Sequence, residues 1–320
     1  MEIKLLAAEE AWEVHGYLVE KLYKADIKPN ALRLPYAEVN VGVKRNKKWV
    51  AMASIFSNDA FEYSGMVGNY ECVDNAEVAK FLFDEIENSA RQKGFTDLIG
   101  PMHGDTWHSY RFSLLPKKPF LMESLHNQYY PAQWQQNGFT NWAEYQTNIE
   151  AIKKDIPQTE ADFYFADKNL TIMPFNNKKS IEDLKKIHAF CTQVFVHNFM
   201  YTPISEPDFL ALYTPLLPHL KPSLIDLVLD KDKMVGLIFA IDNLYTPQEV
   251  IVKTIARDLS DEYKGLAHHL AAKFQHKAFK MGYETMLHAY FHVENKSSRV
   301  SSNYDGQLYQ QHVLYRKELK

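Results

Sequence analysis

Apolar and polar positions change period twice between Val250 and His288. Val250-Ile251-Val252-Lys253-Thr254-Ile255 is a short β-branched run, the pattern of a buried strand. Leu266, Leu270, Phe274 and Ala278 then recur at four-residue spacing, an apolar stripe on one side of a helix, and Gly282 closes it before a second apolar run from Tyr283 to His288. Strand, helix and strand in this order form a crossover unit whose strands lie parallel. The first half of the chain carries the same order. Met66 to Cys72 reads as a strand, Val78, Leu82, Ile86 and Ala90 form the stripe, Gly94 ends the helix, and Phe95 to Gly100 is the returning strand. Aligning Ala79 with Ala267 brings Leu82 onto Leu270, Ala90 onto Ala278 and Gly94 onto Gly282.

The flanking pattern repeats too. Glu38 to Val43 and Trp49 to Phe56 read as a hairpin across a polar turn, and so do Leu224 to Leu229 and Met234 to Ile241 across Asp230-Lys231-Asp232-Lys233. Helical segments precede both, Ala8 to Lys24 and Ser180 to Val196. The reading is an α/β protein with mixed sheets in two tandem domains, 1–150 and 169–320. The charged, Pro-containing stretch 151–168 serves as the linker, lying between the strands Tyr145 to Ile149 and Leu170 to Met173.

Composition narrows the function. A chain of 320 residues is long for one core and comfortable for two domains, and 46% hydrophobic with 24% charged residues is ordinary for a globular protein. A formal charge of −4 gives no footprint for nucleic acid or an anionic membrane. Cys72 and Cys191 are isolated within apolar segments, which fits a reducing compartment rather than a disulfide framework. The N-terminus turns acidic at Glu9-Glu10 before a signal core develops, and no run reaches membrane-spanning length, so a cytoplasmic protein is expected. The 13 His residues show no metal-ligand spacing, and His268-His269 point about 100° apart on a helix, so no metal is expected.

One turn carries candidate chemistry. Tyr263-Lys264-Gly265-Leu266-Ala267 joins a strand to a helix, and such a turn leaves backbone N–H groups pointing outward at the positive end of the helix dipole. With the strand before it and Asn295 after the next strand, this stretch resembles the acetyl-coenzyme A core of the GNAT N-acetyltransferase superfamily. Gly265 and Ala267 match the last two positions of that family's pyrophosphate loop, and Gly306 follows Asn295 as the closing-turn Gly does. The leading basic position is Glu262 here, a departure from the family pattern. The resemblance implies acetyl-CoA, or another acyl-CoA, as cosubstrate, held by Ile255, Ala256, Arg257, Tyr263, Lys264, Gly265, Leu266, Ala267, Asn295 and Ser298. It also implies an oxyanion donor from the backbone near Ile255 or Ala256. In the first half Glu77 stands where Gly265 does and Asp74 where Glu262 does; Asp74 reads as a helix cap, and two acids there would repel a pyrophosphate. The second half is therefore expected to hold the cofactor alone.

The first half instead inserts Gly100 to Phe112, dense in polar and aromatic side chains, with Asp105, Trp107, His108, Tyr110 and Arg111 as candidate substrate-binding residues. This run, with Pro119 to Glu123, Tyr129-Tyr130-Pro131, Gly138-Phe139 and Asn198 to Phe209, resembles bacterial proteins built from two tandem domains of that family. The family's usual acid, a Tyr four residues before the closing-turn Gly, is replaced by Ser302 and Trp134 in the two halves; Tyr304 is the candidate substitute. His288 is the candidate base, with Tyr290 beside it, and Glu71 occupies the strand where related enzymes place a carboxylate base. The resulting expectation is an N-acetyltransferase acting on the amine of a small metabolite, as a monomer or homodimer. The competing expectation is a non-catalytic tandem that binds an acyl-CoA or another ligand as a sensor or scaffold. Aminoacyl-transferases of the Fem type also double this fold, but their long helical-hairpin arm is missing from the sequence.

Overall fold

The computed structural model describes residues 1–23, 36–115, 119–120, 123–154, 157–293 and 306–320. Its elements are β1 (Glu2–Leu5), α1 (Ala8–Leu22), β2 (Val39–Arg45), β3 (Lys48–Phe56), β4 (Ser64–Cys72), α2 (Ala76–Gln92), β5 (Asp97–Gly100), β6 (Phe112–Ser113), α3 (Tyr130–Gln136) and β7 (Thr140–Ala151). There follow α4 (Thr159–Asp167), β8 (Leu170–Pro174), α5 (Ser180–Val194), α6 (Glu206–Tyr213), β9 (Ile225–Asp230), β10 (Lys233–Asp242), β11 (Glu249–Arg257), α7 (Leu266–Lys280), β12 (Thr285–His292) and β13 (Gln307–Glu318). The chain divides into two compact units: Met1–Glu144 with Gln311–Lys320, and Tyr145–Gln310.

In unit 1, β1 to β4 pair antiparallel in sequence order, and β4 then pairs parallel with β5 from Ser64↔Asp97 to Met66↔Ile99. The strand on the other side of β5 is the end of β13, antiparallel from Gly100↔Tyr315 to Asp97↔Glu318. The β2–β3 turn takes the left-handed conformation at Asn46 (φ 52°) and Lys47 (φ 64°), the twist that suits a tight hairpin. On one sheet face α2 buries Val78, Leu82, Phe83, Ile86 and Ala90 against Ala51, Ala53 and Val67; on the other, Val14 and Leu18 of α1 pack with Leu6 and Met52. Asn75 caps α2, its side chain accepting from Val78 N at 3.0 Å. The cap is thus Asn75 and not Asp74, which lies one residue too early for its oxygen to reach the first turn.

Unit 2 repeats the plan with β8 to β11 paired antiparallel and β12 parallel to β11. Beside β12 runs the part of β7 from Tyr145 to Ala151, antiparallel. Each unit therefore takes one strand from across the sequence midpoint. Gly94 and Gly282, at φ 86° and 89°, end α2 and α7 in the left-handed conformation. The stripe of α7 read from the sequence is its buried side: Leu266, Leu270, Phe274 and Ala278 pack on Val228, Val235, Val250 and Val252. Residues 159–167 lie within the stretch read as a linker and form a helix. Ala161 and Phe165 sit one turn apart and are buried, and Gln158 donates to Ala272 O of α7.

Candidate active site

The parallel pairing of β11 with β12 runs from Glu249↔Thr285 to Val252↔His288, and β11 continues against β10 to Gly236↔Arg257. At the same level both strands carry irregularities. The β10–β11 register moves from Ala240↔Val252 to Phe239↔Thr254, leaving Lys253 as the extra residue of a bulge, and β12 slips against β7 between His288 and Phe291. Bulges re-aim side chains and end pairing, so past Val252 and His288 the two parallel strands part. Ile255 and Ala256 lie on the stretch of β11 beyond the last pair with β12. Lys253 Nζ stands 3.9 Å from the centroid of the Tyr290 ring.

Above this wedge the chain turns into α7. Gly265 is its N-cap at φ 92°, a conformation that a side chain strains. Two of the residues read as cofactor ligands instead anchor the turn from inside. Tyr263 is buried with its hydroxyl donating to Asp230 Oδ2 at 2.7 Å, and Leu266 is fully buried, so each can offer a ligand its backbone but not its side chain. The hydrogen bond to the Asp230 carboxylate first, and burial second, raise the Tyr263 phenol above its ordinary value. Arg257 folds along the loop, Nη1 donating to Asp258 O and to Ser260 O at 2.9 Å. Lys264 is exposed. Tyr164 of α4 lies alongside, its ring stacked on His269 with centroids 4.4 Å apart and its hydroxyl donating to Lys264 O at 3.1 Å. Asn295, Ser298 and Tyr304 lie outside the described residues.

His288 sits at the apex of the wedge, facing α7. Its Nε2 lies 3.2 Å from Glu150 Oε1 of β7, close enough for an ion pair when the ring is protonated but not aligned as a hydrogen bond. Gln275 of α7 donates to the same oxygen at 2.6 Å. Glu150 and Gln275 are buried, and Glu150 Oε2 and Gln275 Oε1 have no partner among the described residues. A buried carboxylate beside an imidazole can orient the ring, and an imidazole is a group that can exchange a proton with a substrate. Glu150, Gln275 and Lys253 escape sequence reasoning because strand pairing brings Glu150, and helix packing Gln275, to His288, while a bulge sets Lys253 over Tyr290. A faint signal exists in β7, where Glu150 falls in phase with buried Asn148.

The equivalent wedge of unit 1 is stitched shut. Past Met66 and Ile99, Met102 N donates to Val67 O at 2.8 Å, Asn69 N donates to His103 Nε2 at 3.0 Å, and a Cβ on Gly100 would lie 2.5 Å from Trp134. The inserted loop is largely bonded to itself. Asp105 Oδ1 accepts from Trp107 N, His108 N and His108 Nδ1 at 2.8 to 3.0 Å, and Arg111, at φ 67°, donates its N–H to Pro101 O and an Nη1 proton to the Tyr110 hydroxyl. Glu71 is buried nearby on β4. Tyr130 donates to its Oε2 at 2.7 Å and Tyr23 to its Oε1 at 3.3 Å; burial outweighs both and pushes its carboxyl up to about 8. His15 Nε2 of α1 stands 3.8 Å from Oε1, and burial lowers that imidazole to about 4.

Among the described residues, no cluster of three or more His, Cys, Asp or Glu side chains is placed to hold a metal ion, and no helix is long and apolar enough to cross a membrane. No family model matches the sequence, and no curated protein matches it. Solved structures do match. A tandem GNAT protein from the clavulanic acid biosynthesis pathway superposes over 100% of this chain and 99% of its own with a TM-score of 0.56 at 10% identity. A GCN5-related N-acetyltransferase from Sphaerobacter thermophilus aligns over 91% of this chain and 83% of its own (TM-score 0.53, 12% identity). Another from Anabaena variabilis aligns over 100% and 73% (TM-score 0.54, 11% identity). The architecture expected from the sequence is thus the one observed, and the chain has the fold of the GCN5-related N-acetyltransferases.

Proposed function

We propose that unit 2 transfers an acyl group, acetyl in the simplest case, from coenzyme A to the amine of a small molecule. The observation that carries this reading is the coincidence of three features: parallel strands that part at a double bulge, a left-handed Gly265, and the first turn of α7. The group fits the residues present. A Cβ at Gly265 would make ordinary contacts, 3.6 Å from the Tyr164 ring and 3.7 Å from His269, so its left-handed φ rather than crowding is what favours glycine, and the bare backbone is what it would offer a pyrophosphate. The N–H groups of Leu266 and Ala267, which have no acceptor within their own helix, would hold that pyrophosphate with Lys264. Arg257 shapes the loop beneath it, and Asn295 and Ser298 are proposed as further contacts.

Bound acyl-coenzyme A supplies an activated thioester carbonyl. The chain's own residues supply the rest. The backbone near Ile255 and Ala256 would donate to the carbonyl oxygen as it gains charge. His288 accepts the proton of the incoming ammonium, and Glu150 balances the imidazolium that results. Tyr304 is proposed as the acid for the leaving thiol. Glu71 lies in unit 1, where the stitched wedge gives a thioester no place, so the base is assigned to His288.

The test is release of free thiol from acetyl-CoA with a panel of small primary amines. Amine-dependent release supports the reading, and the absence of release with every amine in the panel would overturn it.

A further inference from the structure

Two buried atoms in unit 1 lack the partners their chemistry demands. His103 Nε2 accepts from Asn69 N, so the ring proton sits on Nδ1, and Nδ1 is buried with no partner among the described residues. Ser54 Oγ gives its proton to Asn40 Oδ1 and accepts from Asn69 Nδ2, which leaves Asn69 Oδ1 buried and unpartnered as well. An unmet buried donor or acceptor costs about 1–3 kcal/mol, a cost that a ligand removes by bonding to it.

Both atoms share a sheet face with Glu71. The cross-strand pairs Met52↔Glu71 and Ser54↔Gly68 set Glu71 and Gly68 on the face of Met52 and Ser54, and α1 covers Met52 through Val14 and Leu18. A Cβ on Gly68 would lie 2.3 Å from the His103 ring, so the missing side chain is what admits the imidazole to this face. The ring is held down to about 3 by burial first, then by His15 and His108, with Asp105 pulling weakly the other way, and it stays a neutral donor. Glu71 has no cationic partner among the described residues. Its oxygens meet only phenols and the neutral His15.

The face therefore presents a carboxyl group with no cation beside it and an unmet amide oxygen, beside an imidazole N–H that calls for an oxygen. We propose that unit 1 binds a small primary amine that also carries a carboxylate or carbonyl oxygen, an α-amino acid or its amide, on Glu71, Asn69 and His103 beneath α1. The ammonium meets Glu71, whose carboxyl releases its proton to solvent as the cation arrives, and Asn69 Oδ1, and the oxygen accepts from His103 Nδ1. This binding is independent of the acyl transfer proposed for unit 2, because the wedge that would take a thioester is closed in unit 1.

The experiment is calorimetric titration of the full chain, without acyl-CoA, with the twenty L-α-amino acids and their amides, and with ethylammonium and acetate as half-ligands. The expected result is saturable binding of at least one amino acid or amide at one per chain with Kd below about 1 mM, with neither half-ligand bound. Glu71→Gln, which keeps the size and accepts from one tyrosine while its NH2 donates to the other hydroxyl, should weaken binding at least about tenfold. In 15N-histidine-labelled protein the His103 Nδ1 resonance should move with the same ligand. If no member of the panel binds, if Glu71→Gln binds as tightly as the parent, or if Nδ1 does not respond, the unmet atoms are met by water and the proposal fails.

Discussion

Asn69 and His103 are joined by a backbone N–H to imidazole bond of 3.0 Å, which fixes the His103 tautomer and holds the inserted loop against β4. Protonating Nε2 would break that bond. Burial lowers His103 to about 3, and His15 and His126 to about 4 each, well below the ordinary value of 6.5. Below pH 6.5 the unfolded chain binds protons that the folded unit refuses, so stability falls as pH drops from 6.5 toward 4, by at most about 1.4 kcal/mol per pH unit per group. Urea midpoints measured against pH should show this acid limb, and His103→Asn should make it shallower.

Glu71 produces a limb of opposite sign. Its carboxyl is raised from 4.5 to about 8, so the folded unit binds a proton that the unfolded chain has lost, and its contribution to stability falls as pH climbs from 4.5 through 8. The groups that face it are His15 of α1, Tyr23 after it, Tyr129 and Tyr130 of the α3 start, and Cys72 on its own strand. Between about pH 7.5 and 8 the three imidazoles are neutral in both states and Glu71 dominates. The urea midpoint should decline there in the parent and stay flat in Glu71→Gln.

A simpler energetic check concerns α2. Asn75 holds the first turn through Val78 N, and Asn75→Ala should lower stability by about 1 kcal/mol. Asp74→Ala should change it by less than half as much, because the cap is one residue further on.

In unit 2 the pair His288 and Glu150 predicts a specific kinetic signature. Glu150→Gln keeps the shape and the Gln275 neighbour but removes the charge opposite the imidazolium. Turnover should fall about 10- to 100-fold with the KM for acetyl-CoA nearly unchanged. His288→Ala should cost about 100-fold or more in turnover. Equal losses in kcat and in acetyl-CoA affinity would mark the pair as packing only.

The parts of the chain legible in the sequence are those whose signal is local. The stripe of α7, the paired hairpins and the left-handed glycines each depend on residues within one or two turns of each other. Helices α3 and α6 were not legible, being short and each opening with a proline near its start, and α4 lay hidden in a charged stretch whose only apolar periodicity is Ala161 with Phe165. The strand exchange between halves has no local signal at all, because β13 and β7 alternate as any strand does. The site divides along the same line. Gly265 announces itself, whereas the meeting of His288 with Glu150 and Gln275 depends on residues from β7, α7 and β12.

Gly265 separates charge from strain. Its φ of 92° suits Asn better than other side chains, and the nearest atoms a Cβ there would meet, on Tyr164 and His269, lie at 3.6 to 3.7 Å. Gly265→Asn should keep the turn and most acetyl-CoA binding. Gly265→Asp, of the same size, adds a negative charge at the cradle and should weaken binding by about tenfold or more beyond Asn.

The most direct measurement is calorimetric titration of the full chain with acetyl-CoA, reading affinity and stoichiometry together. The account predicts one site per chain at micromolar affinity, since only unit 2 has an open wedge beneath a left-handed glycine. Two sites per chain, or no binding at millimolar acetyl-CoA, would contradict it.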